Sequence, residues 1–283
     1  MIDPFLQAGW TLLPARVDDG LKMQKTLDIE DPERSAVLSL PLFGVAESTE
    51  WLAALRAWQL EGVTIISDET HRTLEGGLAS ADIRVGSLRK MLPVPDGAFL
   101  LGMSPDQDLQ PSRAGEMRQR AMLAKQRYLQ DGAIADAMVY RDLFREAEEV
   151  TEHSLAPTRM TSTTRSLLGL LDYSEIARRR QENIQTLNEA LRGTRTVLVN
   201  GSTGQTPSHA VIRRSDVGSL RAYLIHHNVF CPIHWPKPER PLRGFSEWRT
   251  DLMSIPIDQR YRPEDMIRVA DLIRAYEADE EGC

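Results

Sequence analysis

Short apolar runs and helically spaced apolar positions alternate over the first hundred residues. The run SAVLSLPLF at 35–43 predicts a strand. ESTEWLAALRAWQ at 47–59 places Trp51, Leu52, Leu55 and Trp58 at helical intervals and predicts a helix. VTIIS at 63–67 is a β-branched run that ends on Asp68-Glu69, the pattern of a buried strand with acids at its carboxyl end. These three segments make a β-α-β unit. Further short apolar runs at 83–85 and 98–103, separated by Gly, Pro and Asp, add two candidate strands, so an α/β sheet is the expected architecture.

The pattern then changes. Residues 113–150 are rich in Ala, Met, Arg, Glu and Gln and predict two helices divided at Gly132. TSTT at 161–164 reads as a polar break. The stretch 172–191 sets Ile176, Ile184, Leu187 and Leu191 on one helical face with charges opposite. RTVLVN (195–200), SHAVIRR (208–214), a helix near 217–227, VFCPIHW (229–235), DLMSIPI (251–257) and a closing helix at 263–278 follow, a β-β-α-β-β-α series. The expected division is a large domain over 1–165 and a small α+β domain over 166–283, with no internal repeat.

Composition narrows the function classes. The 283 residues carry 34 Lys and Arg against 41 Asp and Glu, a net charge of −7 spread along the chain, which disfavours nucleic-acid binding. No apolar run approaches the roughly 20 residues of a membrane helix, and MIDPFLQAGW lacks the pattern of a secretory signal. The expected location is the cytoplasm. Cys231 and Cys283 are too few for a disulfide framework, and neither they nor the adjacent His226 and His227 offer metal-ligand spacing.

Two segments could carry chemistry. In open α/β sheets ligands bind beyond the carboxyl ends of the strands, which is where VTIISDETH places Asp68, with His71 within reach. Capping of the following turn by Asp68, with Glu69 and His71 solvated, is the competing reading. In GSLRKMLPVPDGA at 86–98, Lys90 follows the cation Arg89 and precedes a loop stiffened by Pro93 and Pro95. A lysine beside a cation and partly withdrawn from water has a lowered pKa, as Schiff-base formation needs, and Ser87 could meet an anion such as phosphate. A surface Arg-Lys pair with Ser87 capping a turn fits the spacing equally well.

The ordered set of VTIISDETH, SLRKMLPVPDGA, FCPIHWP (230–236) and MSIPIDQRY (253–261) resembles the fold-type-I pyridoxal-phosphate-dependent aminotransferases, in particular their DegT-like, sugar-aminotransferase branch. The resemblance implies a partial large domain, a mainly parallel sheet with flanking helices, plus a small α+β C-terminal domain. It implies pyridoxal 5′-phosphate as cofactor, Lys90 as Schiff-base lysine and proton carrier, and Asp68 as the acid facing the pyridine nitrogen. His71 then approaches the cofactor ring and Ser87 its phosphate. His234 and Arg260 fall where relatives recognise substrate, or are a packed histidine and a surface arginine. Relatives carry about one hundred residues ahead of the matched part, and residues 1–40 offer no substitute for its phosphate-binding turn. The expected protein is therefore a truncated or split aminotransferase, acting on an amino-acid donor and a keto or keto-sugar acceptor, as a homodimer or with a complementing subunit. A cofactor-free relative serving as a binding or assembly subunit is the alternative.

Overall fold

A computed structural model describes residues 3–26, 28–104, 108–132, 134–154, 156–201, 205–233 and 248–281. Its first sheet comprises β1 (Ala36–Ser39), β2 (Thr64–Asp68), β3 (Ile83–Ser87) and β4 (Ala98–Leu101), in that order. The first three run parallel and β4 is antiparallel to β3. Helix α1 (Thr49–Leu60) crosses from β1 to β2. Its N-cap is Ser48, whose hydroxyl accepts the Trp51 N–H at 3.1 Å, which satisfies one of the amides left open at a helix start. The predicted β-α-β unit is present.

Strand alternation decides what each face does. Val37 and Ile65 are register partners and point to the α1 side, where Trp51, Leu55, Trp58 and Val63 complete a core. Trp51 also donates its indole N–H to Ser39 Oγ at 3.0 Å, so its one polar atom is satisfied inside that core. The other face carries Leu38, Ile66, Ile83 and Val85, all half-buried, and the exposed Leu100. Among the described residues none of these five joins a hydrophobic cluster. Parallel sheets are ordinarily covered on both sides; among the described residues only the α1 side of this one carries a buried hydrophobic cluster.

The Ala-rich stretch forms a helical hairpin, α2 (Arg113–Asp131) and α3 (Ile134–His153). Gly132 ends α2 with φ 70°, a left-handed cap that closes an N–H bond to Tyr128 O at 2.9 Å. The TSTT segment is not a break. Thr161 caps α4 (Ser162–Leu168), its hydroxyl accepting the Thr164 N–H at 3.2 Å; hydroxyl residues that interrupt one helix also start another. Asp96, from the loop after Lys90, accepts from Thr161 N at 2.9 Å, Thr161 Oγ1 at 3.0 Å and Thr164 Oγ1, which ties that loop to α4.

Helix α5 (Tyr173–Ala190) buries Ile176, Ile184 and Leu187 as its spacing predicts. It packs with α6 (Val217–His226) and α7 (Pro263–Glu281) on a second, antiparallel sheet of order β7 (Leu252–Pro256), β6 (His209–Arg213), β5 (Val197–Leu198). The RTVLVN strand is shorter than expected because Asn200 takes over the ladder with its side chain, donating to His209 O and accepting from Val211 N. VFCPIHW differs from expectation too. Val229–Ile233 form no strand; Pro232 has no N–H to give a ladder and only its carbonyl is used, by Ser254 N at 2.9 Å. His234 lies outside the described residues, as does Cys283. Arg260 is exposed and pairs with the half-buried Asp258 at 2.7 Å.

Candidate functional site

The parallel register pairs Asp68 with Val85 and sets both on the face opposite α1. Ser87, two residues on, shares that face. Thr70 joins the two strand ends: its amide donates to Asp68 Oδ1 at 3.0 Å and its hydroxyl accepts the Ser87 N–H at 3.0 Å. Asp68 therefore does cap the turn after β2, with one oxygen. A carboxylate has acceptor capacity beyond one such bond, so capping and a ligand role are compatible.

Glu69 points the other way and is 1% exposed, not solvated as the competing reading of the sequence had it. Arg84 grips it with two bonds, Nε to Oε1 at 2.8 Å and Nη2 to Oε2 at 2.9 Å, and the Leu78 N–H adds a third at 2.9 Å. Burial alone would raise its pKa. The Arg84 and Leu78 hydrogen bonds and the charges of Arg84 and Arg72 outweigh it and leave the carboxyl below its usual value.

His71 sits under the turn after β1. Its Nδ1 accepts the Phe43 N–H at 3.0 Å, which requires an unprotonated Nδ1, and its ring stacks on Phe43 with centroids 5.4 Å apart. Phe43 is 2% exposed and holds φ at 55°, a conformation costly for a non-glycine residue. Gly44 follows with φ 88°, and a Cβ there would crowd the His71 carbonyl and Pro207. The close approach brings the turn bearing His71's partner against the second sheet's entry strand.

Lys90 closes a one-turn 3-10 helix, Leu88–Lys90, that follows β3 directly. Ser87 stands at the N-cap of this turn but its side chain makes no cap bond. Lys90 is exposed, but protein around its ammonium, followed by the guanidiniums of Arg89 and Arg118, lowers its pKa; Glu148 opposes them. The sequence anticipated Arg89. It did not show Arg118 on α2 or Glu148 on α3, which the hairpin brings in: Glu148 Oε2 lies 3.3 Å from Nη2 of both Arg89 and Arg118. No hydrogen bond or ion pair joins Lys90 to Asp68 among the described residues. Clefts of about 280 and 460 Å³ lie along the hairpin, and neither is lined by Asp68 or Lys90. Among the described residues no cluster of metal-ligating side chains occurs, and no helix is long and apolar enough to cross a membrane.

No family model matches the sequence, and no curated protein matches it. Solved structures do match the fold. The aminotransferase TlmJ from Streptoalloteichus hindustanus superposes with a TM-score of 0.65 at 14% identity, over 98% of this chain and 76% of that one. The sugar aminotransferase CalS13 from Micromonospora echinospora gives 0.58 at 14% identity, over 96% and 76%. A DegT DnrJ EryC1 StrS aminotransferase from Brucella abortus gives 0.52 at 14% identity, over 86% of this chain and 64% of that one. The chain thus has the fold of the DegT-type aminotransferases, and it spans a little under two thirds of the Brucella protein's length (64%).

Two outcomes test the electrostatics. Arg84→Met leaves Glu69 buried without its partner and should cost about 3–5 kcal/mol at neutral pH in urea denaturation. Glu69 has a depressed folded pKa, so its contribution is present above the ordinary 4.5 and is lost as pH falls through the lower folded value. The deficit must therefore shrink below about pH 4.5, and a deficit independent of pH counts against the assignment. Glu148→Gln removes a charge that raises the Lys90 pKa. The midpoint of Lys90 acylation by acetic anhydride, followed by mass spectrometry across pH, should move lower; an upward move contradicts the arrangement.

Proposed function

We propose that the chain is a pyridoxal-phosphate-dependent aminotransferase-like enzyme that moves an amino group from an amino acid to a keto or keto-sugar acceptor. The observation that carries this reading is the placement of Asp68 and Ser87 on one sheet face at adjacent strand ends, with a lysine of lowered pKa one turn further on. The aminotransferase fold of the solved neighbours supports it.

These residues suit the cofactor chemically. Pyridoxal phosphate, when bound, supplies an electron sink for a carbanion at the substrate Cα. Asp68 offers a carboxylate that would keep a ring nitrogen protonated. Lys90 supplies an amine that reaches its neutral, nucleophilic form below the usual lysine range, and the same amine can take and return a proton at the substrate Cα. Ser87 has a hydroxyl not used in capping, suited to a phosphate oxygen. His71, neutral at Nδ1 and immobilised on Phe43, is a rigid wall for a planar ring. On this reading residues 1–165 are a partial cofactor-binding domain and 166–283 a small domain, in a cytoplasmic protein.

The apolar residues of the face opposite α1, which join no hydrophobic cluster among the described residues, favour an assembly, either a homodimer or a pairing with a complementing subunit. It also favours a second reading, a cofactor-free assembly subunit. Two measurements decide. Adding pyridoxal phosphate to the chain, with a co-encoded partner where one exists, should give the visible absorbance of a protein-bound Schiff base, and Lys90→Ala should abolish it. Absence of the band in the wild type, or its persistence with full turnover in Lys90→Ala, sinks the enzyme reading. Light scattering on the chromatographed protein should give a mass above 31.9 kDa; a stable, well-behaved monomer counts against the assembly.

A further inference from the structure

Helix α5 carries three consecutive arginines with different surroundings. Arg178 and Arg179 face solvent and pair with Glu175 and Glu182. Arg180 is 2% exposed, and among the described residues no carboxylate lies within ion-pair distance of it. Its partners are backbone carbonyls: Nη2 donates to Met91 O at 3.0 Å, and Nη1 to Ser208 O at 2.9 Å and Pro207 O at 3.4 Å. Nε has no partner. Burial lowers its pKa to about 10, with Asp258 pulling upward and Arg260 downward.

A buried guanidinium held only by carbonyls is a costly way to fill space, and methionine or leucine would pack there without a charge. What the guanidinium adds is a planar fork that reaches two separate backbone segments at once. One is Met91, the residue after Lys90; the other is the entry to β6. That entry is itself referenced to His71, because Ser208 N donates to Phe43 O at 3.1 Å and Phe43 N donates to His71 Nδ1. Apolar packing of Leu88, Met91 and Ile176 sets how deep the lysine segment lies, and hydrogen bonds set its register.

We propose that Arg180 is a positioning residue for Lys90, holding the Met91 carbonyl so that the lysine segment and His71 share one backbone reference at Pro207 and Ser208. The inference rests on the proposed role of Lys90 but is tested partly without the cofactor. Asn183, one turn along α5, is the control: it is fully buried and donates to the carbonyls of Ile257, Asp258 and Tyr261, not to the lysine segment.

Hydrogen exchange of the Met91 and Leu92 amides, both bonded to Leu88 O, is measured relative to the core amide of Ile212. In Arg180→Met these two amides should exchange at least about tenfold faster on that scale, the equivalent of one charge-assisted hydrogen bond, while Asn183→Ala leaves the ratio unchanged. Borohydride trapping of pyridoxal phosphate on Lys90, read by mass spectrometry, should need about tenfold more cofactor in Arg180→Met and no more in Asn183→Ala. Should the methionine variant not fold, Arg180→Lys, which reaches one carbonyl at most, must show the same direction with a smaller change. Equal exchange ratios in the Arg180 and Asn183 variants overturn the proposal. If the exchange difference holds while wild-type Lys90 is never labelled, the enzyme reading fails and the anchoring of the segment stands.

Discussion

The parallel pairing of β2 with β3 is the constraint on which the rest depends. Side chains alternate along a strand, so a slip of one residue in this ladder would turn Asp68 under α1 and bring Glu69 to the open face. Glu69 opposes that slip. Its bidentate bond to Arg84 spans the two strands on the α1 side, and Thr70 bridges them again at Ser87 on the other. Two adjacent acids thus divide the work: the buried one fixes the register, and the half-exposed one is left where a ligand could meet it.

Much of this fold was legible in the pattern of apolar positions. The β-α-β unit, the hairpin divided at Gly132 and the buried stripe of α5 each follow from period and punctuation alone. What escaped were features made by side chains in place of backbone. Asn200 extends a ladder with its amide, Pro232 withholds a donor from an otherwise strand-like run, and Thr161 starts a helix where its composition reads as a break. The neighbourhood of Lys90 was half legible. Arg89 is adjacent in sequence, but Arg118 and Glu148 arrive only when the hairpin folds back, and nothing local encodes that.

Arg180 was within reach of the sequence. It lies four residues after Ile176 and four before Ile184, in the middle of the apolar stripe, and a charge in that place is an exception that needs a reason. Its two neighbours obscured it, because RRR reads as one solvated face. Helical geometry separates the three by about 100° each, which is why Arg178 and Arg179 end in surface ion pairs and Arg180 in the interior.

The sheet face opposite α1 bears on chemistry as well as stability. Two unit charges 4 Å apart attract by about 1 kcal/mol in bulk water and by about 4 kcal/mol at the effective dielectric near a protein surface. On the proposed reading Asp68, half-exposed on that face, would work between the two figures. The five apolar residues of this face share it with the carboxylate, so on the proposed reading one covering layer would serve both. Four strands about 4.8 Å apart, each four or five residues at about 3.3 Å, present a face of only about 300 Å². That is well short of the roughly 800 Å² a stable partner covers on each side. A layer that dried Asp68 would therefore also take hold of β1 and β4, the edge strands among the described residues, and pairing at those edges would lock the ladder that keeps Asp68 facing outward.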